Sequence, residues 1–313
     1  MKNYLKLSLS AILLMLLTGF QQGFAQMKTL VDVQKSFSGI TRIEVNGGAL
    51  EVEYSGEGQS NEISVDAFLE STFHDQDIIF VTAGNILKIS HKVTTTRTNW
   101  TNIRTKGYIK IQGPQNMGLD IKGGSGTVNA SNVKSSLTSL SVGSGKITGN
   151  NIEGDVEVKA GSGSIRLQQI AGNIKGNIGS GSAQFQDVKG DIQYASSSGG
   201  ITANNIVGKM NISLTSGNAK LENVAELGEL RLTSGNLNAL NSGLGTETSI
   251  NGTSGNFKIQ TNSNLANFNY KLNATSGNIT VGNSRSTRGL NIDNGADYSI
   301  KGNITSGNIT IQN

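Results

Sequence analysis

Ten of the Ser-Gly dipeptides in this chain recur as a series. Their glycines stand at Gly126, Gly145, Gly163, Gly181, Gly199, Gly217, Gly235, Gly255, Gly277 and Gly307. Subtracting neighbours gives intervals of 19, 18, 18, 18, 18, 18, 20, 22 and 30. A fixed period of about 20 residues marks a stacked repeat, in which each unit covers its neighbours and cannot fold alone. Counted from each glycine as zero, apolar residues return at the same offsets. The Gly199 unit carries Ile201, Ala203, Ile206, Met210, Ile212 and Leu214. The Gly181 unit carries Ala183, Phe185, Val188, Ile192 and Tyr194. Apolar residues two apart point to one face of a strand. Each unit therefore reads as two short inward-facing strands with a corner residue between them.

A helix is excluded because glycines at the unit boundary and at Gly154, Gly172, Gly190 and Gly208 would break it within two turns. An antiparallel sandwich has no reason to hold five consecutive intervals at one length, whereas coils stacked in register do. The expectation is an all-β chain folded as a right-handed parallel β-helix of about 18 residues per coil, the hand following the rule for parallel crossovers. Three regions are expected: a leader over 1–25, less regular β coils that cap the stack over 26–113, and regular rungs over 114–313.

The leader reading rests on Lys2 and Lys6, an apolar run from Leu7 to Leu17, and small residues at Gly23 and Ala25 before a cleavage point. The run is short for a membrane span. The chain is expected to be exported to the periplasm, cell surface or medium, with no transmembrane span in the mature protein. Loss of the leader lysines lowers the formal charge below the +4 of the whole chain, which argues against nucleic-acid binding. Zero cysteines exclude disulfides, Cys-metal sites and a lipid-attachment cysteine.

The corner itself is patterned. Early units carry Gly-Ser-Gly and later ones Thr-Ser-Gly-Asn, at 215–218, 233–236, 253–256, 275–278 and 305–308. Gly and Asn tolerate positive φ and reverse the chain tightly, and a stacked corner can run Thr and Asn side chains as ladders along the repeat. That column is either a structural ladder or a ligand surface.

Three features in order, FSGITRIEVNGGALEVEY at 37–54, YIKIQGPQ at 108–115, and repeated GSGxI and TSGNI units, resemble the bacterial adhesin family of β-strand-repeat proteins related to the autotransporter-adhesin head domain. The resemblance spans nearly all of the chain after the leader. It implies an exported right-handed β-solenoid with an adhesive or envelope role, and transfers no catalytic residue.

The polar segment TTTRTNWTNIRTKG at 94–107 holds the only tryptophan, Trp100. Trp100 could stack on a sugar ring with Arg97, Arg104 and Lys106 around it, and a plain connecting hairpin is the alternative. For catalysis, the best carboxylates are Asp155 and Asp191, two rungs apart and each following a glycine as a turn residue would. His74 and His91 sit in no metal-ligand spacing, and the GSG triplets precede no helix that could cradle a phosphate. No catalytic, metal or cofactor site is expected. The reading is a non-enzymatic adhesin or binding protein for glycans or cell-surface components. The rivals are a self-assembling envelope or matrix protein and a polysaccharide lyase or hydrolase acting through Asp155 and Asp191. At the C-terminus, the stretch Asn283 to Lys301 is expected to fold as a charged cap over a final rung ending at Asn313, the alternative being an open end that docks a second copy or an envelope partner.

Overall fold

The computed structural model describes residues 26–57, 62–94 and 103–313. The leader expected over 1–25 lies outside them. The chain is all-β, with no α-helix among the described residues. Its strands are β1 (Lys28–Ser38), β2 (Arg42–Gly48), β3 (Glu51–Gly56), β4 (Glu62–Ser71), β5 (Gln76–Ala83), β6 (Ile86–Val93), β7 (Thr105–Gly113) and β8 (Gly118–Gly123). There follow β9 (Thr127–Ala171), β10 (Ile174–Lys189), β11 (Ile192–Leu240), β12 (Leu244–Gln260), β13 (Asn269–Val281), β14 (Ser284–Ser286), β15 (Gly289–Ile292) and β16 (Ser299–Gln312). The longest strands run on through the corners of the repeat.

The repeat period becomes the register. Ile174, Ala183 and Phe185 of β10 align in parallel with Val156, Ile165 and Leu167 on one side. On the other they align with Ile192, Ile201 and Ala203. The slots read as inward are buried, among them Ile165, Ile170, Ile178, Phe185, Ile206 and Leu214. Each such side chain contributes about 1.5–3 kcal/mol when covered by its neighbours. Size is balanced between rungs. Gly176 lies in register with Tyr194 and gives room to the rings of Tyr194 and Phe185, which meet edge to face at 5.7 Å. The stacked corner glycines are obligatory for a similar reason: a Cβ at Gly181 would overlap the carbonyl oxygen of Gly163.

The N-terminal part departs from the coils expected over 26–113. β1 pairs antiparallel with β4, and β4 with β7. β5 and β6 form an antiparallel hairpin. The two-residue turn Gly84-Asn85, with Gly84 at φ 60°, accounts for that reversal, since such a turn matches the twist of a hairpin. β2 then slots in parallel between β6 and β8, and β3 between β7 and β9.

The C-terminal end corrects the expected edge. β16 is not the outermost rung: it lies between β12 and β13, parallel to both. β13 is the last rung in space, and β14 and β15 pair antiparallel along it. The segment expected to cap β16 therefore covers the rung laid down before it. In this order β16 has a partner on each side, while β14 and β15, which follow β13 directly, fold back on it and pair with its other edge.

Candidate functional site

The side chains at the corners sort into those that hold the stack and those left to face outward. Asp155 Oδ1 accepts the backbone N–H of Asn173 at 2.9 Å, and Asn173 Oδ1 that of Asp191 at 2.9 Å. Asp191 Oδ1 in turn accepts the N–H of Lys209 at 2.8 Å. The two aspartates that an enzyme would need are thus clips between rungs. They line a shallow depression of about 480 Å³ with Leu137, Glu157, Lys175 and Lys209, where both signs of charge alternate. Glu247 Oε2 accepts from Lys209 Nζ at 2.5 Å and raises the lysine's pKa.

A second corner carries a ladder that the apolar periodicity does not reveal. Asn132, Asn151, Gln169, Asp187, Asn205, Asn223 and Asn241 all adopt left-handed backbone, with φ between 47° and 57°. Side chains connect rung to rung on either side of Gln169: Asn151 Nδ2 donates to Asn132 Oδ1 at 2.8 Å, Asn205 Nδ2 to Asp187 Oδ1 at 2.9 Å and Asn223 Nδ2 to Asn205 Oδ1 at 3.0 Å. The signal was available as a polar residue just before each buried corner residue, an aliphatic in every case but Ser242. The expected Asn column after Ser-Gly is also present: Asn236 donates to Asn218 at 3.1 Å, and Asn256 to Asn236 at 2.9 Å.

What remains free to meet a ligand concentrates on the outward face of the C-terminal rungs. Asn251, Asn303 and Asn273 align across β12, β16 and β13. Thr253, Thr305 and Thr275 stand two residues further along the same strands, all exposed. Two residues before the asparagines come Ser249, Lys301 and Lys271, in register. Alternation in the strand places all three columns on one face. Asn273 Nδ2 donates to Asn303 Oδ1 at 3.1 Å, leaving the other half of each amide available.

This face holds two adjoining depressions. One, of about 500 Å³, is bounded by Asn273, Thr275, Asn303, Thr305 and Arg288. The other, of about 440 Å³, is bounded by Arg231, Thr233, Asn251, Thr253 and Asn303. Gly252 and Asn303 belong to both, so the pair makes one track across the rungs. Gly289 pairs with Asn273 and adds no side chain there, which leaves the track open beside β13. The sequence carried this signal as N-x-T-S-G-N, repeated at 251–256, 273–278 and 303–308.

Of the ligand residues expected from sequence, Trp100 and Arg97 lie outside the described residues. Arg104 and Lys106 stand at the start of β7, where Arg104 N–H donates to Thr72 Oγ1 at 3.0 Å and Lys106 is in register with Glu70. No group of three or more His, Cys, Asp or Glu able to hold a metal occurs among the described residues. No helix among them is long and apolar enough to cross a membrane.

The model of one family, Toastrack DUF4097, fits the chain over residues 40–207 and again over 171–312. The chain belongs to the Toastrack DUF4097 family. No curated protein matches it. Solved structures similar to this Toastrack chain include a candidate lipid binding protein from Parabacteroides distasonis ATCC 8503, at 15% identity, covering 93% of this chain and 98% of that one with a TM-score of 0.45. A candidate adhesin from Bacteroides fragilis NCTC 9343 is 13% identical, covering 91% of this chain and 97% of that one with a TM-score of 0.31. A candidate cell adhesion protein from Clostridium sporogenes ATCC 15579 is 11% identical, covering 90% and 99% with a TM-score of 0.27.

Proposed function

We propose that this protein is an exported, non-enzymatic binding module of the bacterial envelope, an adhesin in the broad sense, that holds a glycan or another extended surface polymer. In this reading the repeat is a right-handed solenoid of about 18 residues per coil, and the leader directs it out of the cytoplasm. The observation that carries the proposal is the open track over β12, β16 and β13. It offers three asparagines and three threonines in register, on a rigid sheet, with hydrogen-bonding groups not used by the fold. A row of amides and hydroxyls at the strand spacing of about 4.8 Å suits a ligand with repeating hydroxyls.

A catalytic role finds no support in the aspartates, because Asp155 and Asp191 hold the next rung's backbone. A polysaccharide array read with the full chain tests the proposal. Binding is expected to weaken when Asn303 and Thr305 are replaced together by alanine, while the melting temperature stays within a few degrees. Failure to retain any polysaccharide, or retention unaffected by that double substitution, would overturn it.

A further inference from the structure

The track has a charge pattern that the fold does not need. Lys271 and Lys301 stand directly opposite one another on neighbouring parallel strands, both exposed. Like charges so placed repel and cost stability. The usual compensation is a carboxylate on the same face, as where Glu44 lies between Lys88 at 3.1 Å and Arg42 at 3.1 Å. Nothing comparable serves this pair. Next to Lys301 along the column is Ser249, and next to Lys271 on the other side is Asn291. Lys271, Lys301 and Arg288 form no ion pair among the described residues. Asp293, the nearest acid along β15, accepts from the N–H of Gly295 at 3.0 Å and closes its own turn. Arg231, at the far end of the track, is already held by Glu229 at 2.5 Å.

Arg288 thus borders the depression that holds Asn273, Asn303, Thr275 and Thr305, Lys271 and Lys301 stand two residues before its asparagines on the same face, and no carboxylate lines it. No aromatic side chain lines either depression. Capture here must come from charge and hydrogen bonds, since no ring is present on which a sugar face could stack. The track also extends from Arg288 into the second depression, so it fits a chain of units better than a single small anion.

From this we infer that the track selects an acidic polysaccharide: uronate or sulfate groups are held by Lys271, Lys301 and Arg288, and sugar hydroxyls by the Asn and Thr columns. The inference rests on the binding role proposed above and narrows it to one ligand class. The uronate and the sulfate share the chemistry that matters here, an anionic oxygen cluster on a polyol backbone.

The test is binding of the full chain to polygalacturonate, chondroitin sulfate, neutral dextran, and vesicles of phosphatidylglycerol or phosphatidylcholine, each at low and high salt. Retention of one or both acidic polymers but not dextran is expected, with affinity falling as salt rises. Lys271→Glu or Lys301→Glu should each weaken it about tenfold or more. The same substitutions should leave the melting temperature unchanged or raise it, because each turns a repulsive pair into an attractive one. Gly289→Trp, which fills the opening beside Asn273, should block binding without unfolding the chain, as a Cβ there meets only Asn273 Oδ1 at 3.4 Å and Leu272 O at 4.0 Å, both ordinary contacts. Binding of dextran alone, indifferent to the lysine substitutions, overturns this inference and leaves the general binding role standing. Binding of no polysaccharide overturns both. Capture of phosphatidylglycerol vesicles alone, lost in Lys271→Glu, overturns it in favour of a headgroup site.

Discussion

Asn308 donates its side-chain amide to Asn256 Oδ1 at 2.8 Å across 52 positions of sequence, although Asn278 lies between them in the chain. Asn278 instead donates to Asn308 at 3.1 Å, on the other side. The asparagine ladder therefore reports the threading of β16 between β12 and β13 at the level of single side chains.

That threading predicts a C-terminal strand with the stability of the core. Ile309 is fully buried between the neighbouring rungs. Ile309→Ala should cost about 2–5 kcal/mol in denaturant unfolding, as for other buried aliphatics. Amides of β16 should exchange with deuterium as slowly as those of β11, and those of the short outer strand β14 much faster. An alanine variant within about 0.5 kcal/mol of the parent would show that the strand frays like an edge.

The left-handed asparagine corner predicts opposite outcomes for two positions. Asn205, at φ 57°, bonds to both Asp187 and Asn223, so Asn205→Ala should lose about 1–2 kcal/mol through backbone strain and the broken ladder. Gln169 holds the same conformation at φ 56° with a residue less suited to it. Gln169→Asn should stabilise the protein by about 0.5–1 kcal/mol. Chemical denaturation midpoints at constant slope decide both.

Residues at fixed offsets from each Ser-Gly made the all-β stack, its inward slots and the Asn column legible, because burial repeats wherever the register repeats. The order of rungs was not legible. Gly255, Gly277 and Gly307 carry the same Thr-Ser-Gly-Asn motif, and identical motifs pair equally well in either order. What separates them is the segment after β13, whose strands β14 and β15 fold back and take the other edge of β13. The Gly84-Asn85 hairpin was readable as a turn dipeptide, yet it stands outside the long period that organises the rest. The candidate track was legible in part, since Thr253, Thr275 and Thr305 belong to the repeated Thr-Ser-Gly-Asn column, but its cations escaped for a related reason. Lys271 and Lys301 lie far apart in sequence and look like ordinary surface lysines until the register sets them side by side.

The corner glycines predict a sharp contrast between two Gly→Ala substitutions. Gly181 has φ 133°, and a Cβ there would overlap Gly163 backbone that cannot move without shifting a rung. Gly181→Ala should cost more than about 4 kcal/mol or prevent folding. At Gly289, a Cβ would rest 3.4 Å from Asn273 Oδ1, an ordinary contact. Gly289→Ala should change stability by no more than about 0.5 kcal/mol. Equal tolerance of both substitutions in thermal melts would contradict the packed-corner account.

His91 gives the N-terminal end a pH dependence with a definite sign. Gln76 Nε2 donates to Ser71 Oγ at 2.8 Å and to Phe73 O at 3.0 Å, which fixes the amide with Oε1 towards the imidazole. Oε1 accepts from His91 Nε2 at 2.9 Å, so the other ring nitrogen, Nδ1, is the one that faces Gly48. Burial pushes the pKa of His91 below the ordinary histidine value. The folded state thus resists a proton that the unfolded chain accepts near pH 6.5. Stability from this site is complete above about pH 6.5 and is lost as pH falls from there towards the depressed folded value. His91→Gln keeps a donor for Gln76 and removes the titration. Between pH 8 and pH 6 the parent should lose stability relative to this variant, as read from paired denaturation curves. The β5–β6 hairpin should show the earliest loss of hydrogen-exchange protection. A parent and variant that track one another through this range would mean that His91 takes up its proton in the folded state as easily as in the unfolded chain.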